Sequence, residues 1–513
     1  MEILLRVRLL AAVAILVAAC GGGGGGGSSP PPSTNPPPTG NFTDPVTYSS
    51  VGTAFLPSAA EITAVTHHQV TINGTALNYT ATVGHLSALN GNQPEASFFY
   101  VAYTLDGAAP ATRPVTFFYN GGPGSASVWL HLGSFGPKRL DTGEPNMSAA
   151  SPYQLVDNAE SMIDLTDLVF VDAVGTGFSQ AISPYTNSSF WGVDADAAVF
   201  RDFVMRYVAV NNRTTSPKFL YGESYGGPRS ALLADLLESA GVHLAGVVLQ
   251  SPALDYNSNC GIVDLVKSCT SYIPSYGAIG SWFNLSTPSA SVAQLPAFED
   301  TVRAFVATQY EPAIQGFLAS GVPPGDAQLT QVANMSGLPK PFWITDPNRN
   351  PEFYRINLMP GTLPGRYDGR VTIPNTFAPG HEPDPSSTLI SPSFAQRIVE
   401  YLTSLGYTTP SSYTMLGGSI SSWNFTHDGR QLPDTVPDLA SAMAQNPRLK
   451  VMSVNGYHDT VTPFFTTEMD LARIGRPIAV HEYVGGHMTY LENSSRRAMK
   501  ADITEFYRSA LAN

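Results

Sequence analysis

Phe219-Leu220-Tyr221-Gly222-Glu223-Ser224-Tyr225-Gly226-Gly227-Pro228 is the stretch on which the fold turns. Its first residues read as a buried β-strand, Gly222 to Gly226 form a G-x-S-x-G turn, and Leu232, Leu233, Leu236 and Leu237 then recur at helical spacing. A strand that reverses into a helix this tightly lifts Ser224 to a strained apex. Small residues at 222 and 226 let the two backbones pass, and Pro228 fits the first helical turn without losing a needed N–H. Ser224 is thereby a candidate nucleophile; taken alone, the turn is also compatible with an ordinary β-to-α connection.

Outward from this turn, apolar strands alternate with helical runs. Pro114 introduces the strand Val115 to Tyr119, which ends in Asn120-Gly121-Gly122-Pro123-Gly124. A glycine pair after a strand can aim backbone N–H groups at one point, as an oxyanion hole requires. Leu168 to Asp172 and Gly246 to Gln250 read as further strands, and Asp194 to Val210 as a helix with Phe200, Phe203, Val204 and Tyr207 on one face. Val174 to Ser179 contains a Gly-x-Gly, but without the rest of a dinucleotide fingerprint. Between residues 45 and 115, alternating runs broken by Asn73-Gly74 and Asn90-Gly91 predict hairpins.

From about Asp255 to Pro410 the alternation stops, in a Pro-, Ser- and Gly-rich region read as an inserted cap over the sheet's carboxyl edge. Strands resume at Leu449 to Val454, followed by Asn455-Gly456 and Asp459, and at Ile478 to Val484, followed by Gly485-Gly486-His487; a helix through Ile503 and Phe506 closes the chain. The pattern predicts an α/β-hydrolase fold with a mainly parallel sheet flanked by helices. Residues 46–255 and 410–513 would form the core, and 256–409 the cap.

Ser224, Asp459 and His487 follow the chain order of α/β-hydrolase triads. His487 would take the Ser224 proton, Asp459 would hold the imidazole, and the amides of Gly122 and Tyr225 would receive the oxyanion. Asp255 is a rival acid. His458, adjoining Asp459, is badly placed to face its carboxylate.

Composition narrows the classes. Among 513 residues the net charge is −13, only 13% are charged, and Lys/Arg runs are scarce, which argues against nucleic-acid binding. The ten histidines are scattered and neither H-E-x-x-H nor C-x-x-C occurs, so no metal and no cofactor is expected. Arg6 and Arg8 precede the apolar run Leu9 to Val17, too short for a span, and Val17-Ala18-Ala19-Cys20 resembles the bacterial lipobox. By that resemblance residues 1–20 are an export signal, Cys20 is acylated, and the protein is a membrane-anchored lipoprotein of the periplasm or cell envelope. The Gly- and Pro-rich residues 21–45 would be a tether of about 80 Å at full extension. In an exported chain Cys260 and Cys269 read as a local disulfide.

Four blocks together resemble the serine carboxypeptidases: Asn120 to Gly124, Val174 to Ser179, Gly222 to Gly227, and Gly486-His487-Met488, in this order across roughly residues 60–510. The resemblance implies removal of C-terminal residues from peptides through an acyl-enzyme. It also implies that Asn120 and Glu223 hydrogen-bond the substrate's terminal carboxylate, with Glu223 protonated. The chain departs from the family where a second glutamate usually stands, at Ser134, and has Phe118 and Ser125 in place of a tryptophan and a cysteine. The departure at Ser134 keeps open an esterase, amidase or acyltransferase on the same fold, and a non-catalytic binding lipoprotein stands as a third reading.

Overall fold

The computed structural model describes residues 40–147, 152–261 and 268–512. The export signal, Cys20 and residues 21–39 of the tether lie outside the described residues. Among the described residues, no helix is long and apolar enough to cross a membrane.

A ten-stranded sheet organises the chain. Its strands are β1 (Thr63–Ile72), β2 (Thr75–Asn90), β3 (Gln93–Leu105), β4 (Val115–Tyr119), β5 (Asp167–Val171), β6 (Lys218–Glu223), β7 (Gly246–Gln250), β8 (Lys450–Gly456) and β9 (Ala479–Tyr483), with the short Gln180–Ala181 paired to β3. The order is β9-β8-β7-β6-β4-β5-β3-β2-β1. From β5 to β9 all neighbours are parallel, with Leu220 of β6 opposite Phe117 of β4 on one side and Val247 of β7 on the other. β1 to β3 add two antiparallel hairpins at one edge, the first turning at Asn73-Gly74, where both residues have positive φ.

The inner parallel strands β4 to β7 are buried on both faces, as expected of a sheet covered by helices on two sides, whereas the edge strand β9 is only partly buried. The pleat divides its side chains between two apolar layers. Phe118, Phe170, Tyr221, Val248 and Met452 pack on one side with Met499, Ile503 and Tyr507 of the closing helix Asn493–Leu511. Phe117, Val169, Leu220, Val247 and Val451 pack on the other with Phe200, Phe203, Leu233 and Leu237. These last four come from α2 (Val193–Val210) and α3 (Gly226–Ser239); α1 is the short helix Val128–Gly133.

Among the described residues between β7 and β8, none joins the ten-stranded sheet. Helices there build a separate apolar centre around Tyr272, Tyr276, Val302, Phe305, Trp343 and Tyr354. The helix Ser391–Ser404 behaves differently: Phe394, Ile398 and Leu402 pack into the first layer of the sheet, because its apolar residues fall on one face. Cys260 and Cys269 form a disulfide, with Cα atoms 5.4 Å apart.

Candidate active site

Ser224 follows the last residue of β6 and has φ of +62°, a left-handed conformation uncommon outside glycine. The turn holds this strain through close backbone approach. A Cβ on Gly222 would lie 2.1 Å from Gly226 O and 2.3 Å from Ser230 Oγ, so only glycine fits. Ser224 N donates to Gln250 O at 3.0 Å, and Gly227 N donates to Ser224 O at 2.8 Å, pinning both sides of the residue. The loop after β4 is pressed onto the same turn: a Cβ on Gly121 would stand 2.3 Å from Tyr225 N. Among the described residues, the amides of Gly122 and Tyr225 have no hydrogen-bond acceptor.

Arg229 on α3 locks this assembly from beneath. Its guanidinium is fully buried, donates to both Asp196 carboxylate oxygens on α2 at 2.6 and 3.1 Å, and donates to Asn120 O at 2.6 Å. The Phe200 ring lies 4.5 Å from its central carbon. The Asn120 side chain is committed too, its Oδ1 accepting from Leu130 N of α1 at 3.0 Å.

Asp459 and His487 come from the loops after β8 and β9. These loops touch: a Cβ on Gly456 would lie 2.1 Å from Gly486 O. Asp459 Oδ2 and His487 Nδ1 are 2.8 Å apart, both residues buried. Asp459 Oδ1 accepts from the amides of Val461 at 2.7 Å and Thr462 at 3.1 Å, which orients the carboxylate. Thr462 Oγ1 lies 2.8 Å from Asp459 Oδ2, 2.8 Å from Ser251 O and 3.0 Å from His487 Nδ1. Burial opposes a charge on the His487 ring, but Asp459, with smaller contributions from Glu223 and Asp384, outweighs it and raises the pKa above its ordinary value. Nε2 is buried and has no hydrogen bond among the described residues; it is not bonded to Ser224. His487 and Ser224 line one cavity of about 340 Å³, together with Asn120, Gly121, Gly122 and Glu223.

The histidine's backbone is held by segments with no motif of their own. Its carbonyl accepts from Ser251 Oγ at 2.8 Å and Gln250 Nε2 at 3.2 Å, at the end of β7. Its amide donates to Tyr367 O at 2.6 Å, and the Tyr367 ring packs edge-on, 5.2 Å from the imidazole. The same short segment continues the support, with Thr460 N donating to Arg366 O and Gly369 N donating to His458 O, both at 3.0 Å. Tyr367, Thr462 and Arg229 were not marked by the sequence, since nothing in their neighbours signals which distant loop they will meet.

The rival residues lie elsewhere. Asp255 pairs with Arg473 at 2.8 Å and accepts from Asn257 N at 2.8 Å. His458 is buried beside Trp282, its Nδ1 3.3 Å from Gly485 O, and burial together with the Arg370 charge pushes its pKa down to about 3. Neither lines the cavity.

Glu223 is buried against the nucleophile turn, and desolvation pushes its carboxyl up to about 7, partly opposed by His487, Tyr490 and Asn120. Ser134 is buried outside the cavity wall and its hydroxyl donates to Leu130 O at 2.6 Å, closing the end of α1. Phe118 stacks between Phe170 and Tyr221, with centroids 4.8 and 4.9 Å away, and Ser125 Oγ accepts from Trp129 Nε1 at 3.0 Å. Among the described residues no group of three or more His, Cys, Asp or Glu side chains could hold a metal ion.

Residues 72–261 match the family model of the serine carboxypeptidases. Serine carboxypeptidase-like 33 of Arabidopsis thaliana is 29% identical over 210 residues, 36% of this chain and 40% of that protein. The pheromone-processing carboxypeptidase KEX1 of Candida albicans is 26% identical over 147 residues, 28% of this chain and 19% of the relative. The matched segments thus span well under half of either relative's length. Among solved structures, the prohormone-processing carboxypeptidase KEX1(delta)p of Saccharomyces cerevisiae superposes with a TM-score of 0.53 at 15% identity, covering 84% of this chain and 91% of that one, and so shares the fold. The fold is that of the α/β-hydrolases, and residues 72–261 are similar to the serine carboxypeptidases.

Proposed function

We propose that the protein is a serine-type carboxypeptidase, removing C-terminal residues from peptides through an acyl-enzyme at Ser224. The observation that carries this reading is the Asp459–His487 pair at 2.8 Å, whose imidazole lines one cavity with Ser224. In the reaction His487 Nε2 takes the proton of Ser224 Oγ as the hydroxyl attacks the scissile carbonyl carbon. Asp459 holds Nδ1–H and stabilises the imidazolium that forms. The amides of Gly122 and Tyr225 receive the developing oxyanion, each donor worth about 3 kcal/mol in the transition state. His487 then returns the proton to the leaving amine, and a water repeats the cycle to release the acyl group. The missing Ser224–His487 hydrogen bond is compatible with this, since such bonds often tighten only around bound substrate.

Glu223 and Asn120 would receive the substrate's terminal carboxylate, Glu223 as the protonated partner, because two ionised carboxylates at contact repel. The helical region between β7 and β8 would serve as the cap that shapes the cavity.

An esterase, amidase or acyltransferase is the second reading, favoured by one carboxyl group, Glu223, among the described residues of the cavity wall, where the resemblance implies a pair. The test uses N-blocked peptides with a free C-terminus, matched esters and amides, and mass spectrometry of the products. Faster release from free acids is expected; preference for the blocked forms would overturn the first reading in favour of the second. A fluorophosphonate is expected to label Ser224, and its failure on folded protein would leave a binding lipoprotein instead.

A further inference from the structure

Arg366 is a wall residue of the cavity that neither the nucleophile, its base, nor the Asn120–Glu223 pair uses. It lies in the segment between β7 and β8, next to Tyr367, whose ring covers His487. Its backbone is fixed on both sides. Arg366 N donates to Asp384 Oδ2 at 2.9 Å, and Arg366 O accepts from Thr460 N at 3.0 Å and Thr460 Oγ1 at 3.0 Å. The side chain is less committed. Nη2 donates to Gly261 O at 3.1 Å, Nε is buried without a hydrogen-bond acceptor among the described residues, and the half-exposed Glu352 carboxylate stands 4.0 Å from Nε. Besides Arg366, the described lining residues with titratable side chains are Glu223, His487, Tyr256 and Tyr367, and Trp129, Leu416, Ile420 and Met488 add apolar surface to the wall.

A guanidinium with spare donors, anchored by its backbone and the one Lys or Arg among the described lining residues, is suited to bind a planar anion through two parallel hydrogen bonds. We propose that Arg366 is a specificity-determining residue that seats a carboxylate of the substrate. This deepens the proposed function and rests on Ser224 being the nucleophile. Glu223 can accept an ionised carboxylate beside it only while it keeps its own proton, whereas Arg366 attracts the ionised form at any working pH. One cation thus supplies by charge what a second protonated carboxyl would supply by hydrogen bonding. The carboxylate has two sources in a peptide, the C-terminus and an acidic side chain at the last residue, and both present the same group to Arg366.

The test compares wild type, Arg366→Gln and Arg366→Lys on three N-blocked dipeptide substrates: a C-terminal Gln with free carboxylate, its amide, and a C-terminal Glu with free carboxylate. Arg366→Gln is expected to lower the free-acid to amide ratio of kcat/KM, or the Glu to Gln ratio, by roughly tenfold to a hundredfold, the range of a hydrogen bond to a charged group, with the loss in KM. The first ratio moving assigns the terminal carboxylate and the second the side chain, and Arg366→Lys should recover part of whichever moves. Both ratios unchanged, in a variant whose melting temperature and fluorophosphonate labelling match wild type, would overturn the proposal. Absence of labelling in wild type would instead sink the nucleophile assignment, a separate failure.

Discussion

Two regions meet at the cavity, and they are built on different principles. The nucleophile side is local: β6, the Ser224 turn and α3 are contiguous in sequence, and the turn is enforced by contacts between residues four apart, such as Gly222 against Gly226. The base side is assembled from afar: His487 is held by Asp459, Ser251 and Tyr367, which lie 28, 236 and 120 residues upstream. A strained turn keeps its shape as long as its strand and helix are packed. The base side keeps its shape only while three separate loops stay docked.

Mutations can break or sharpen this contrast. Replacing Ser224 with Ala removes the attacking group outright and is expected to cost about 10⁶-fold in kcat, with the melting temperature unchanged, measured by ester hydrolysis and calorimetry. On the base side, Asp459→Asn should cost about 10⁴-fold by leaving the imidazole in the wrong tautomer. Tyr367→Ala should cost less than Asp459→Asn while making the rate sensitive to moderate urea, because the carbonyl that holds the histidine amide survives but its packing does not. Equal urea sensitivity in wild type and this variant would contradict the docked-loop picture.

The nucleophile side should instead fail by unfolding. Arg229→Met strands the buried Asp196 carboxylate and is expected to destabilise the protein by about 3–5 kcal/mol, read from denaturant titration. A loss of activity without loss of stability would show that Arg229 matters for placing Asn120 alone.

The smallest effect concerns pH. The Glu223 carboxyl is raised to about 7, so the folded state holds this proton more tightly than the unfolded chain. Its contribution to stability is therefore complete below the ordinary carboxylate range and is lost as pH rises through about 7. Glu223→Gln should flatten the fall in stability between pH 5 and 8, and should also remove the rise in KM for free-carboxylate substrates over that interval. His487 acts in the opposite sense on rate, since only its neutral form accepts a proton, and its raised pKa moves the onset of activity upward.

The local side was also the legible side. Val115–Tyr119 and Gly246–Gln250 could be bounded from their apolar runs, and the Ser224 turn from its glycines, because each signal lies within a few residues of what it specifies. The nearness of Asp459 to His487 could be anticipated from two strand ends followed by glycines. What escaped was the identity of the props. Tyr367 acts through a backbone carbonyl, a group every residue has, and Thr462 and Arg366 look like any threonine or arginine in a loop-rich segment. The helix Ser391–Ser404 escaped in a similar way: its apolar face was visible only as composition, and its docking on the sheet depended on where the intervening chain delivered it.

The hydrogen bond from the His487 amide to the Tyr367 carbonyl bears on how such proteins diversify. Exchanging the intervening helical region between relatives would be an attractive route to new selectivity, but that region also carries the acceptor that steadies the general base. A graft that omits an equivalent carbonyl would inherit a new specificity wall and a loosened imidazole together. Recombination across this fold is therefore constrained to exchange the Arg366–Arg370 segment as one piece with the loops it touches, or to leave it behind with the recipient.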